Sequence, residues 1–357
     1  MSYRTVGRLL RQSGFSLRTN VKRLTGPPHP DRDRQFRFLR RVRTLFLRHK
    51  APVISVDTKN SELIGNFKNS GTRWCTQPDV VHAHDWMTYQ AGVAIKKMSG
   101  KPLTIHVHAT EFDRSGGGPV HQTVYDIEKL GMKHADKIIA VSKFTKQKII
   151  DRYAIAPEKI AVIYNAVARK KGNRKPFHAN KKNPLVLFLG RLTLQKGPDY
   201  FLDVAKKVLE HRDDVDFVIA GSGDMQHRLI ECATRWGIGD KVLFTGFLRG
   251  QEVDRMYQMA DVYVMPSVSE PFGIAALEAM QEGVPLIVSK DAGVSEVVNH
   301  CLKIDFWDIN RMTDSILAIL EHAELSNEMS KNGKAEVKKF CWNKVAQQCI
   351  EVYRFII

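Results

Sequence analysis

From Pro78 onward the chain alternates short apolar runs with longer amphipathic segments, and this alternation limits the fold more than any other feature. Runs such as Leu103–Val107, Leu185–Leu189 and Val262–Val264 are too short for helices and read as buried strands. Further strands are predicted at Asp79–His82, Lys137–Val141, Ile160–Tyr164, Asp216–Ile219, Lys241–Phe244 and Leu286–Val288. Helical patterns fall between most of them: Trp86–Met98, Val120–Lys133, Lys143–Asp151, Gly197–His211, Asp224–Trp236, Gly250–Met259, Gly273–Glu282, Ala292–Asn299, Asn310–Glu321 and Ser326–Lys339. A βαβα order predicts an α/β fold of parallel, doubly wound sheets. Such sheets bind ligands at the carboxyl ends of their strands, so the chemistry is expected in the turns that open the helices.

A chain of 357 residues suits two domains. The stretch Asn165 to Pro184, rich in Lys, Gly, Asn and Pro, reads as a linker. It divides a first α/β unit, residues 76–168, from a second, 184–340, with 169–183 as the linker proper. Residues 341–357 read as a closing helix with Val345, Ile350, Val352 and Tyr353 on one buried face. The chain ends on an apolar tripeptide, which reads as a shortened tail. No apolar run approaches the ~18 residues of a membrane span, and the basic N-terminus lacks the apolar core of a signal peptide. The five cysteines (Cys75, Cys232, Cys301, Cys341, Cys349) are scattered and without CxxC spacing. They argue for a reducing, cytoplasmic location and against a zinc site or a disulfide scaffold.

Charge separates residues 1–74 from the rest. That stretch holds 17 Lys+Arg against 4 Asp+Glu, out of 55 and 38 in a chain of net charge +17. Tyr3–Gln12 has apolar residues at Val6, Leu9 and Leu10, and Arg32–Arg48 reads as a second basic helix. Pro52–Val56 reads as a strand ending on Asp57. A short helix, a turn and a basic element fit a helix-turn-helix-like DNA reader; a solvated basic face is the bland alternative. The stretch SYRTVGRLLRQSGFSLRTN…HPDRDRQFRFLRR…PVISVDTKNSELIGNFKNSGTRW resembles DDE-type insertion-sequence transposases, up to about Trp74. The resemblance makes Asp57 the first metal-binding carboxylate of an RNase H-like domain whose remainder does not follow. Two metal ions need several converging carboxylates, so Asp57 is an orphan and no transposase chemistry is expected. Non-specific DNA contact by residues 1–74 is expected from their charge.

Three turns carry the remaining chemistry. After Leu185–Leu189 come Gly190, Arg191 and Lys196, then Pro198 in the first turn of a helix, an arrangement suited to a diphosphate. A surface loop with two bases would look the same. The turn Gly221-Ser222-Gly223-Asp224 admits a close backbone approach but is a weak signal alone. Met265 to Met280, MPSVSEPFGIAALEAM, places Glu270 in a loop and Glu278 inside a helix starting near Phe272 or Gly273. The first N–H groups of that helix form an anion or hydroxyl site.

The pieces DVVHAHDW, TIHVHATEFDRSGG, KIIAVSKFTK, VIYNAV, LFLGRLTLQKGPDYFLDVA, VIAGSGD, VLFTGFL and SEPFGIAALEAM occur in the order seen in retaining nucleotide-sugar glycosyltransferases. Residues 76–357 thus resemble the GT-B family that includes glycogen and sucrose synthases. The resemblance implies two Rossmann-like domains, with the donor held mainly by the second. It implies that Arg191 and Lys196 hold the donor diphosphate, and that Glu270 bonds the sugar hydroxyls with the backbone at Phe272 and Gly273. It also implies that Glu278 takes the ribose hydroxyls, and that Gly190, Gly221 and Gly223 line the donor site. His108 is implied near the sugar, and His84 and Asp85 on the acceptor side. His82, His106 and His121 read as structural or surface residues, although His106 and His108 share a strand face and sequence separates them poorly. No metal and no cofactor are implied.

The family's opening strand and Gly-rich loop have no match here, so the first domain is expected to be incomplete and marginal, and the second sound. The resemblance implies a hexosyltransferase by family, inactive where the missing N-terminal part is needed for turnover, with UDP-glucose as first donor and GDP-mannose as second, and a glycan, lipid or small molecule as acceptor. The missing Gly-rich loop favours a non-catalytic nucleotide-sugar-binding remnant over an active enzyme for this chain, and a DNA-binding transposase derivative is the further alternative.

Overall fold

A computed structural model describes residues 79–168 and 182–357. The chain divides between Asp79 and Val80 into two units, and the second, Val80–Ile357, holds every element described below. The helix-turn-helix-like segment, the strand at Pro52–Val56, Asp57, Cys75 and most of the linker lie outside the described residues.

Two parallel sheets form. The first contains β1 (Val81–His84), β2 (Leu103–Val107), β3 (Lys137–Ala140) and β4 (Ile160–Val162), in that spatial order. The second contains β5 (Leu185–Leu189), β6 (Asp216–Ala220), β7 (Val242–Gly246), β8 (Val262–Met265), β9 (Leu286–Ser289) and β10 (Leu302–Ile304), ordered β10-β9-β8-β5-β6-β7. Every pairing is parallel. Helices cover the sheet faces, so the central strands are buried on both sides and are predominantly apolar. All of β2, β8 and β9 is buried. One apolar cluster joins Phe201, Phe217, Ile219 and Ile316, and a second joins Tyr263, Met265, Phe272 and Leu277. Ile105, Ile138 and Tyr153 belong to the core of the first sheet.

Several elements differ from the sequence reading, among them the short helix Glu111–Arg114, for which no helix is predicted. β1 runs Val81–His84, two residues later than predicted, because His82 and His84 read as polar yet pack against other imidazoles. The helix predicted over Ala292–Asn299 is only a 3₁₀ turn, Gly293–Glu296. Its leading N–H groups bond back to the loop after β8: Gly293 N donates to Glu270 O (2.8 Å) and Val294 N to Phe272 O (2.6 Å). β10 was not foreseen, since three residues carry too little pattern.

The helices that position the site are α1 (Trp86–Ser99), α2 (Glu111–Arg114), α3 (Gln122–His134), α4 (Lys143–Tyr153), α5 (Pro198–His211), α6 (Gln226–Arg235), α7 (Gln251–Met259), α8 (Ile274–Glu282), α9 (Ile309–Glu321), α10 (Ala323–Glu336) and α11 (Trp342–Ile356). The closing helix α11 returns to the first sheet, where Val352 packs with Ile139 and Ile163. Its buried face is narrower than predicted: Ile350 is 41% exposed.

Candidate active site

In the second sheet the chain order reverses between β5 and β8, which are direct neighbours. The turns after them leave toward opposite sides, and the crevice between such turns is where open α/β sheets take ligands. The turn after β5 carries Gly190, Arg191 and Lys196; the loop after β8 carries Glu270, Phe272 and Gly273. Lys196 Nζ and the Glu270 carboxylate form an ion pair across the crevice. Glu270 is buried (7% exposed), whereas Arg191 is exposed and donates to Gln195 Oε1 at 3.2 Å.

Two helices begin beside this pair. Gly197 precedes α5 and Gly273 precedes α8, and neither helix start has a side-chain cap. Their leading N–H groups therefore offer donors at the site. Gly273 adopts φ 104°, a conformation that L side chains resist.

Gly221 and Gly223 are required for an internal reason. A Cβ on Gly221 would lie 1.8 Å from Gly190 O, and one on Gly223 would lie 2.2 Å from Leu192 O. The two turns are laced together by Gly190 N to Ala220 O (3.0 Å) and Leu192 N to Ser222 O (3.0 Å). Glu278 sits in the second turn of α8, where Tyr257 Oη donates to its Oε2 at 3.3 Å. It lies eight residues beyond Glu270 in the chain.

At the C-terminal ends of β1 and β2, His84 Nδ1 lies 3.0 Å from His108 Nε2. Asp85 joins these ends: its Oδ1 accepts from His108 N (2.9 Å) and Ala109 N (3.4 Å). Asp85 holds φ 57° and ψ 169°, a region costing of order 1–3 kcal/mol for a residue with a Cβ. Burial lowers the His108 pKa, with the Asp85 charge opposing. His121 is an exposed surface residue.

Residues to which motif reading assigned no role, Asp113, Lys148, Ser269 and Glu296, join the two sheets. Asp113 is fully buried and caps α2 through Thr110 N and Oγ1, each donating at 2.7 Å to Oδ2. Its other oxygen accepts from Lys148 Nζ (2.5 Å) and Ser269 Oγ (2.6 Å). Ser269 immediately precedes Glu270. The carbonyl of Gln195, which precedes Lys196, accepts from Val268 N (3.0 Å) and Ser269 N (3.3 Å). Glu296 adds a further tie between the sheets, accepting from Lys143 N (2.9 Å) and Phe144 N (2.6 Å) at the start of α4. The only sequence signal for Asp113 was its place three residues after Thr110, the spacing of a capping box.

Two facing parallel α/β sheets with the ligand crevice at a switch point define the GT-B class of glycosyltransferase. Residues 169–336 match the family Glycosyl transferases group 1. A glycosyltransferase of Methanocaldococcus jannaschii is 34% identical over 294 residues, covering 77% of this chain and 75% of that protein. Glycogen synthase of Mycobacterium tuberculosis is 28% identical over 297 residues, covering 80% and 71%. The fold is similar to that of Anabaena HepE in its complex with UDP and glucose: TM-score 0.66, 20% identity, 77% of each chain. The chain belongs to the group 1 glycosyltransferases. Residues 1–97 match a second family, the Rhodopirellula transposase DDE domain. The resemblance read in the sequence stops at about Trp74, whereas this match runs on across β1 and most of α1.

Proposed function

We propose that this chain transfers a hexose from a nucleotide diphosphate sugar to an acceptor hydroxyl with retention of anomeric configuration. The observation that carries the reading is the Lys196–Glu270 pair at the β5/β8 switch point, flanked by two uncapped helix starts. In the proposed complex Lys196 and Arg191 take the diphosphate. Glu270 turns to the sugar hydroxyls, with the backbone at Phe272 and Gly273, and Glu278 binds the ribose. As the bond from the anomeric carbon to the diphosphate loosens, the two cations offset charge on the leaving oxygen. A preorganised contact of this kind is worth about 2.7–4 kcal/mol. His108 lies by the sugar, and the acceptor enters past His84 and Asp85 to attack the same face. The cations fill the place of a metal, so none is assigned to the transfer. The kinship with glycogen synthase and the HepE complex with UDP and glucose favour UDP-glucose as donor, with GDP-mannose second. The acceptor is a glycan, a lipid or a small molecule.

Calorimetric titration with UDP-glucose and GDP-mannose, followed by a turnover assay, tests this. Donor binding with turnover is expected; binding without turnover identifies a nucleotide-sugar-binding remnant, and no binding of either sinks the reading. The basic charge of residues 1–74 favours a separate role for that segment, non-specific DNA contact.

A further inference from the structure

β1 and β2 place four imidazoles on one face of the first sheet. His84 stands opposite His106 in register, and His82 stands opposite Thr104. Because alternate residues of a strand share a face, His82, His84, Thr104, His106 and His108 all lie together. Ring centroids are 4.3 Å apart for His82–His84, 5.2 Å for His84–His106 and 5.5 Å for His82–His106.

Buried polar atoms in folded proteins nearly always have partners, and leaving one without costs about 1–3 kcal/mol. Among the described residues, seven buried side-chain atoms lack one, and four of them are here: His82 Nε2, Thr104 Oγ1, and both Nδ1 and Nε2 of His106. His106 is only 5% exposed. One ligand atom each from His82, His84 and His106 falls within 4.8 Å of the others. A metal with three imidazole ligands needs nitrogens at ~2.0–2.1 Å from a common centre. The near-parallel rings reach that by turning about χ2, a broad torsion for histidine.

We propose that His82, His84 and His106 bind a divalent transition-metal ion of the zinc type. The donor set is nitrogen only, which suits Zn²⁺, Co²⁺ or Ni²⁺ and not the oxygen-seeking Mg²⁺ or Ca²⁺. Three imidazoles leave a fourth position for water. The scattered cysteines take no part. A supporting contact is present as well. His82 Nδ1 lies 2.5 Å from Tyr353 Oη on the returning helix α11. With Nδ1–H donating to the phenol, the lone pair of Nε2 is left for the metal, the usual arrangement for a ligating histidine.

The test is titration of the chelator-stripped full chain with Co²⁺ and then Zn²⁺, read by visible absorption and metal analysis. No activity assay enters. The expected result is one Co²⁺ per chain, with d–d bands of low coordination number, no thiolate charge-transfer band, and displacement by Zn²⁺. His106→Gln and His82→Gln should abolish the bands. Tyr353→Phe, which keeps all three imidazoles, should weaken binding about 10- to 100-fold. Only the spectrum of the aquo ion, a thiolate band, or bands undiminished in His106→Gln would overturn the proposal. Should either Gln variant fail to fold, the wild-type titration and Tyr353→Phe still decide.

Discussion

At the residue scale the site depends on a few atoms held close. Lys196 and Glu270 neutralise each other across the crevice, and the proposed donor separates them. Lys196→Ala and Glu270→Ala should each lower turnover by about 10²–10³-fold, the range for one lost electrostatic contact; steady-state kinetics on UDP-glucose checks this, and unchanged rates would remove both from the mechanism. Gly221 serves packing: with its would-be Cβ 1.8 Å from Gly190 O, Gly221→Ala must push the two turns apart. Overpacking of this kind costs about 1–3 kcal/mol, measurable as a lowered denaturation midpoint. The glycines and charges of these turns were legible in the sequence. The reason for Gly221 was not, because it faces a carbonyl of another strand's turn.

At the element scale, α2 and α4 reach the second sheet through one buried carboxylate. Asp113 accepts from both Lys148 and Ser269. Breaking a buried pair from one side costs about 3–5 kcal/mol, so Asp113→Asn should destabilise the unit by that order, while the more conservative Ser269→Ala costs less; chemical denaturation of both variants checks the ranking. Helix α3 contributes a pH-dependent element. Glu128 is 1% exposed, and burial raises its pKa from 4.5 to about 7 against the opposing pull of Arg114 and Tyr153. Between those two values the folded chain holds more protons at this site than the unfolded chain. Its contribution to stability is therefore complete below pH 4.5 and is lost as pH rises through about 7. Glu128→Gln should flatten the melting temperature across that window and gain most on the alkaline side; a parallel curve for the two proteins would refute this. β5 matches its predicted bounds because its apolar run is unbroken, and β2 matches although Thr104 and His106 interrupt its run, whereas β1, with two histidines in four residues, was misplaced.

At the scale of the whole molecule, two families meet in one chain. The transposase match covers residues 1–97 and the glycosyltransferase match 169–336. Among the described residues the first sheet has four strands and β1 has a neighbour on one side only. No helix among them is long and apolar enough to cross a membrane. The excess of 17 Lys+Arg over 4 Asp+Glu in residues 1–74 predicts that the full chain shifts duplex DNA at low salt and releases it as salt rises. A gel-shift series against ionic strength checks this; retention at low salt by a chain lacking residues 1–74 would assign the contact elsewhere.

The sequence by itself determined the parallel α/β class and which turns carry cations, carboxylates and glycines. Those are local properties, written in the period of the apolar residues and in the punctuation between them. The tertiary structure alone decided that β8 lies against β5, which brings Lys196 to Glu270 across 74 positions of chain. It alone joined Asp113 to Ser269 across 156 positions, and stacked the imidazoles of β1 on those of β2. Strand order and register are set by the mutual burial of faces far apart in the chain, and no local pattern encodes which face meets which.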